Sequence, residues 1–138
     1  MREDDSRGQL SLPVIEAALG VMLVLAVVAG FALGVPHPGG TERQLGVYAH
    51  DAATVLADEP PRHGGATRLE EVAASPASFE REKGALRERL TRVLPANCMF
   101  RVLTPHGTVG YPRPAGVPAG YATVPTANGP VTVEVWYV

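Results

Sequence analysis

Polar and apolar positions change their period three times along the chain. After the polar head MREDDSR, apolar residues dominate without a helical or alternating rhythm, and the nineteen residues from Ala17 to Val35 carry no charge. At about 1.5 Å of rise per residue, an α-helix of that run covers roughly 28 Å, one bilayer core. The pattern therefore predicts a single transmembrane helix, placed with its flank at 9–36. PHPGG, Pro36 to Gly40, stops it, because prolines lack the helix donor and glycines disfavour the helix. Beyond the break the spacing becomes that of amphipathic helices. Thr41 and Gln44 have capping-box spacing ahead of Leu45, Tyr48, Ala49, Ala52 and Leu56, which share one face of a helix over about 42–57. DEPPRHGG is a turn cluster, after which Thr67 and Glu70 repeat the capping spacing before Leu69, Val72 and Ala73, a short helix at 67–74. Ser75 as cap and Pro76 at the first helical position open a helix over 76–94 with Phe79, Leu86, Leu90 and Val93 aligned. After Pro95 the period drops to two. CMFRVLT sets Cys98, Phe100 and Val102 against Met99, Arg101 and Leu103, a strand at 98–104; shorter strands are expected at 108–111 and 121–124. An Asn128-Gly129 turn leads into a strand at 131–138, where Val131, Val133, Val135 and Tyr137 alternate with Thr132, Glu134, Trp136 and Val138. The predicted class is α+β: an N-terminal transmembrane helix, a helical middle segment and a small C-terminal antiparallel β-sheet, with 41–138 forming one small domain.

Charge adds one exclusion. The formal net charge is −2, and ten acidic residues face ten basic ones after Pro36, so no basic face is available and nucleic acid is not an expected partner. A single cysteine, Cys98, can make no intrachain disulfide and reads as a buried strand thiol.

Three readings fit the apolar run. A secretory signal peptide would be cut near Ala32-Leu33-Gly34, but its head is as acidic as it is basic and its apolar stretch exceeds the usual h-region. A plain single-pass anchor accounts for length and hydropathy. The third reading also has to account for Glu16, a carboxylate in the opening turns of a membrane-length helix, where charge is costly toward the centre and tolerated near the rim.

Arg7-Gly8-Gln9-Leu10-Ser11, set immediately before the apolar helix, resembles an archaeal type IV prepilin leader, also called a class III signal peptide. RGQLSLPVIEAALGV together with the terminal VTVEVWYV is similar to small pilin-like membrane proteins of halophilic archaea. The resemblance implies a leader over 1–8 removed by a prepilin peptidase between Gly8 and Gln9, with Arg7 and Ser11 in the processing motif. It also implies a retained helix that anchors the protein and packs in a filament core. Pilins often carry Glu at the fifth mature position; counting from Gln9, Pro13 is fifth here and Glu16 eighth. Cleavage would nevertheless free an ammonium on Gln9, and a helix carboxylate in low dielectric favours such a partner from a neighbouring chain. Gly30 and Gly34 have the GxxxG spacing that permits close helix contact. The partners implied are related pilin-like subunits, an assembly ATPase and a membrane platform protein.

Little in the chain points to catalysis. His37, His50, Asp51, His63 and His106 form no zinc motif, and the loop histidines read as solvated. Cys98 has no charged neighbour in sequence to activate it, and the glycine-rich stretches lack a phosphate-loop setting. FEREKGALRERLTR reads as a solvated, ion-paired helix face. The expectation is a non-enzymatic minor structural subunit of a type IV pilus-like surface filament or its assembly machinery, with no catalytic residue, metal or cofactor. Two Arg in the head against Arg43 alone in the twenty residues past the helix place the N-terminus in the cytoplasm and the domain outside the cell. The alternative is a membrane-anchored extracellular binding module that forms no filament.

Overall fold

A computed structural model describes residues 5–34 and 39–138, with side chains from Leu12 onward in the first stretch. The chain divides into two compact units, Met1–His37 and Pro38–Val138. In the first, α1 spans Asp5–Ala32 with Pro13 inside it. Within α1, Leu12–Ala32 is a 21-residue stretch of mean hydropathy 2.5, long and apolar enough to cross a membrane. Its side chains are exposed all round, as suits a helix whose apolar surface has no soluble core to meet. Gly34 follows the last helical turn at φ 54, a left-handed conformation that glycine adopts without a Cβ penalty. It lies two residues past the end of α1 at Ala32, while Gly30 lies within the helix.

The second unit opens with α2, Gly40–Asp58. The Thr41–Gln44 capping box does not form: the N-cap is Gly39 at φ 91, without a side-chain cap, and Thr41 is already inside the helix. Leu45, Ala49, Ala52, Ala53 and Leu56 make its buried face. α3, Arg68–Ala73, and α4, Pro76–Val93, begin as their sequences specify. Thr67 Oγ1 accepts from the Glu70 N–H at 3.2 Å and Ser75 Oγ from the Ser78 N–H at 3.1 Å, each satisfying a donor that the first helical turn leaves unpaired.

Four strands follow: β1 Cys98–Thr104, β2 Gly107–Gly110, β3 Gly120–Thr126 and β4 Gly129–Tyr137. They form one antiparallel sheet in the order β2-β1-β4-β3. Two hairpins are thus joined through a central β1–β4 ladder, in which Cys98 faces Tyr137 and Leu103 faces Thr132. Both hairpin turns use a Thr-x-x-Gly device. Thr104 Oγ1 donates to the Gly107 carbonyl and accepts from the His106 N–H; Thr126 Oγ1 does the same with Gly129 and Asn128. The turn residues are Ala127 and Asn128, with negative φ, and Gly129 carries the positive φ of 125. The expected Asn-Gly turn is therefore displaced by one residue.

The three helices supply most of one side of the core. α2 packs along β3 and β4, α3 against α2 and α4, and α4 against β2. Phe100, Val102, Val131, Val133 and Val135 are buried with the helical leucines. At Gly120 the backbones of β3 and α2 nearly touch: a Cβ there would lie 2.0 Å from the Leu45 carbonyl carbon. The opposite sheet face is not simply solvated, since Glu134 and Trp136 are buried too. For Glu134 the reason is topological. β2 and β3 are opposite edges, so the connection at 111–119 has to pass across β1 and β4, and it brings Arg113 onto Glu134.

Candidate functional site

Three segments of the second unit converge on a pair of buried carboxylates. Pro60 and Pro61 follow the end of α2, and the loop then turns back so that the Arg62, His63 and Gly64 amides point at α3. Glu71, on α3, fills that concavity. Its Oε2 accepts from the Arg62 N–H at 2.7 Å, and its Oε1 from the His63 and Gly64 N–H groups at 2.7 and 3.2 Å. Burial pushes the Glu71 carboxyl up, but these three amides and the nearby His63 outweigh it and hold the pKa below the ordinary value.

Glu82, on α4, has 0% side-chain exposure and lies beside the same loop. Its Oε1 is 2.6 Å from His63 Nδ1, a separation that calls for a proton on that nitrogen, and 3.0 Å from Arg81 Nε. Arg62 Nη1 stands 3.9 Å from Glu82 Oε2, and Arg81 Nη2 is 3.8 Å from Glu71 Oε1. Two carboxylates are thus balanced by two guanidinium groups, with an imidazole between. Among the described residues Glu82 Oε2 has no hydrogen-bond partner, although it is buried.

This cluster corrects two sequence expectations. His63 is not a freely solvated loop histidine, because the turn imposed by Pro60 and Pro61 folds its ring onto Glu82. Nor is the α4 charge run wholly a solvated face: Glu82 lies on the buried side with Phe79, Leu86 and Leu90. The signal for this was available, since Phe79, Glu82 and Leu86 follow helical i, i+3, i+7 spacing. The remaining run does pair at the surface, as in Lys83 Nζ to Glu80 Oε2 at 2.6 Å, and Arg89 binds Glu59.

A third buried carboxylate sits on the sheet. Glu134 faces Arg101 across the β1–β4 ladder, and Arg101 Nε and Nη2 reach its Oε2 at 2.8 and 2.6 Å. Arg113 Nε lies 2.5 Å from Oε1, a charge contact rather than an aligned hydrogen bond, while its Nη1 donates to the Val117 carbonyl at 2.7 Å. One carboxylate therefore holds the crossing loop by its arginine.

The other singled-out residues stay apart. His50 and Asp51 are exposed on α2, His106 lies in the first hairpin turn, and His37 is outside the described residues. Cys98 is buried at the start of β1, where burial pushes its thiol pKa up. Arg7, Gly8, Gln9 and Ser11 lie on the α1 backbone with their side chains outside the described residues, and Glu16 and Gly30 are exposed in the apolar stretch.

The fold and these clusters define a two-unit chain: a membrane-length apolar helix followed by an α+β unit with charge clusters fixing its loops. Residues 6–137 match the family of unknown function DUF7262, and the chain belongs to that family. No curated protein and no solved structure matches it.

Proposed function

We propose that this chain is a pilin-like, non-enzymatic minor subunit of a type IV pilus-like surface filament or of its assembly machinery. The observation that carries the reading is the apolar stretch Leu12–Ala32, exposed on every side, preceded at once by Arg7-Gly8-Gln9-Leu10-Ser11 and followed by a separately folded unit. A helix with that much apolar surface needs either lipid or like helices around it, and in a pilin it meets first one and then the other. Cleavage by a prepilin peptidase after Gly8 leaves the helix on the mature chain, with the N-terminus at the cytoplasmic face and the α+β unit outside the cell. Related subunits, an assembly ATPase and a membrane platform protein are the partners in this reading.

The charge clusters fit a structural role, since each joins a loop to a helix or sheet. The test is processing. The mature protein should begin at Gln9, and Gly8→Ile should leave a full-length precursor that still partitions into the membrane, because the apolar stretch is untouched. An N-terminus and mass unchanged by Gly8→Ile would refute the reading.

A further inference from the structure

We propose that His63, Glu71 and Glu82 form a site for one first-row divalent cation of the zinc type, which clamps the 59–67 loop to α3 and α4. This inference does not rest on the pilin-like reading. One potential ligand atom from each of the three side chains lies within 4.8 Å of the other two. They come from a loop and two different helices, so a cation bound there ties together three segments.

A second observation is independent of this clustering. Glu82 Oε2 is fully buried and, among the described residues, accepts no hydrogen bond. Its ion-pair partner Arg62 Nη1, 3.9 Å away, is too far to donate a hydrogen bond; a buried carboxylate oxygen without one is costly, and a cation is a partner that would relieve it. The donor set selects the metal. An imidazole with two carboxylates suits zinc and its first-row neighbours, whereas calcium and magnesium favour oxygen ligands alone. Three protein ligands also leave a coordination position for water.

Arg81 and Arg62 compete for the same oxygens, and their freedom to leave decides the matter. The side chains of Arg62, Arg81 and His63 are 51%, 48% and 50% exposed, so both guanidinium groups can swing into water, and the ring marks an open approach. Glu82 has no such exit. Binding would replace the Nδ1 proton of His63, released to solvent, and the Arg81 Nε bond to Glu82. The three loop amides on Glu71 would orient its carboxylate in the way outer-shell hydrogen bonds orient metal ligands.

The test uses the full chain in detergent micelles, stripped with a chelator and titrated calorimetrically with zinc chloride or calcium chloride. One equivalent of zinc should bind, and a free concentration one hundred times Kd should raise the unfolding temperature by on the order of 10 °C. Calcium should not bind at this site. His63→Ala, a change in an exposed loop, should weaken zinc binding by about a hundredfold or more, taking outer-shell losses as a floor. Arg81→Gln should tighten it by removing the competitor. The proposal is overturned if zinc shows no saturable binding, if His63→Ala binds it equally well, if calcium binds as tightly, or if Arg81→Gln weakens zinc.

Discussion

Gly120 is the position where one missing atom sets the fit between layers. A Cβ there would meet the Leu45 carbonyl carbon at 2.0 Å and the Gly46 nitrogen at 2.2 Å. These are backbone atoms, which cannot rotate away, so Gly120→Ala must push α2 off β3. Overpacking of this kind costs about 1–3 kcal/mol. Gly84, in the exposed part of α4, has nothing within 4 Å of such a Cβ. There the same substitution only reduces unfolded-chain freedom and favours the helix, by up to about 1 kcal/mol. Thermal unfolding of the two variants should therefore shift in opposite directions, Gly120→Ala down and Gly84→Ala up. A Gly120→Ala variant as stable as the parent would contradict the close approach. Single residues also mark where sequence reading reached its limit. Leu45, Phe79 and Val133 announce their burial through period, but Glu82 does so only if a charged residue is allowed onto an apolar face. Its partner His63 lies nineteen positions away in a turn whose path no period encodes.

Elements were more legible than the contacts between them. Among the described residues the four helices and four strands follow from hydropathy period and prolines, with the Thr67 and Ser75 caps kept and the Thr41 cap not, because those signals are local. What periodicity does not carry is the strand order, and with it the route of the 111–119 connection. Alternation in β4 marks Val131, Val133 and Val135 as one face, yet Glu134 and Trp136 on the other are buried too, and the crossing loop reaches Glu134 through Arg113. Arg113 holds that loop through its contacts to Glu134 and the Val117 carbonyl. Arg113→Met should release the loop while Arg101 keeps its contacts to Glu134 Oε2. Hydrogen bonds to charged groups contribute about 1.5–3 kcal/mol, so amide exchange within 111–119 should quicken by roughly tenfold to a hundredfold. Protection at Val133 and Val135, in the central ladder, should hardly change. Uniform loss of protection across the sheet would mean that the loop and the ladder open together.

At the scale of the whole molecule, the two units divide the work: in the reading proposed above, α1 is the assembling part and the α+β unit the presented part. Glu16 tests that division. If it meets the Gln9 ammonium of a neighbouring chain, Glu16→Ala removes an intersubunit attraction while making the membrane stretch more apolar. Membrane retention should then be kept or improved, and in-membrane crosslinking between chains should fall. A carboxylate solvated at the bilayer rim contributes little to any interface, and crosslinking would then be equal in the two proteins. Equal yields would assign Glu16 to the rim.

The β2-β1-β4-β3 order also bears on how such chains can meet side by side. A sheet with two open edges is a template on which identical copies can stack strand upon strand. Here one edge is β2, only four residues long and glycine at both ends, and the other is β3, where Pro125 lacks an N–H to offer. Both margins are poor templates for a further strand. Growth of a polymer by sheet continuation is thereby disfavoured, and ordered association is left to side-chain surfaces and to α1.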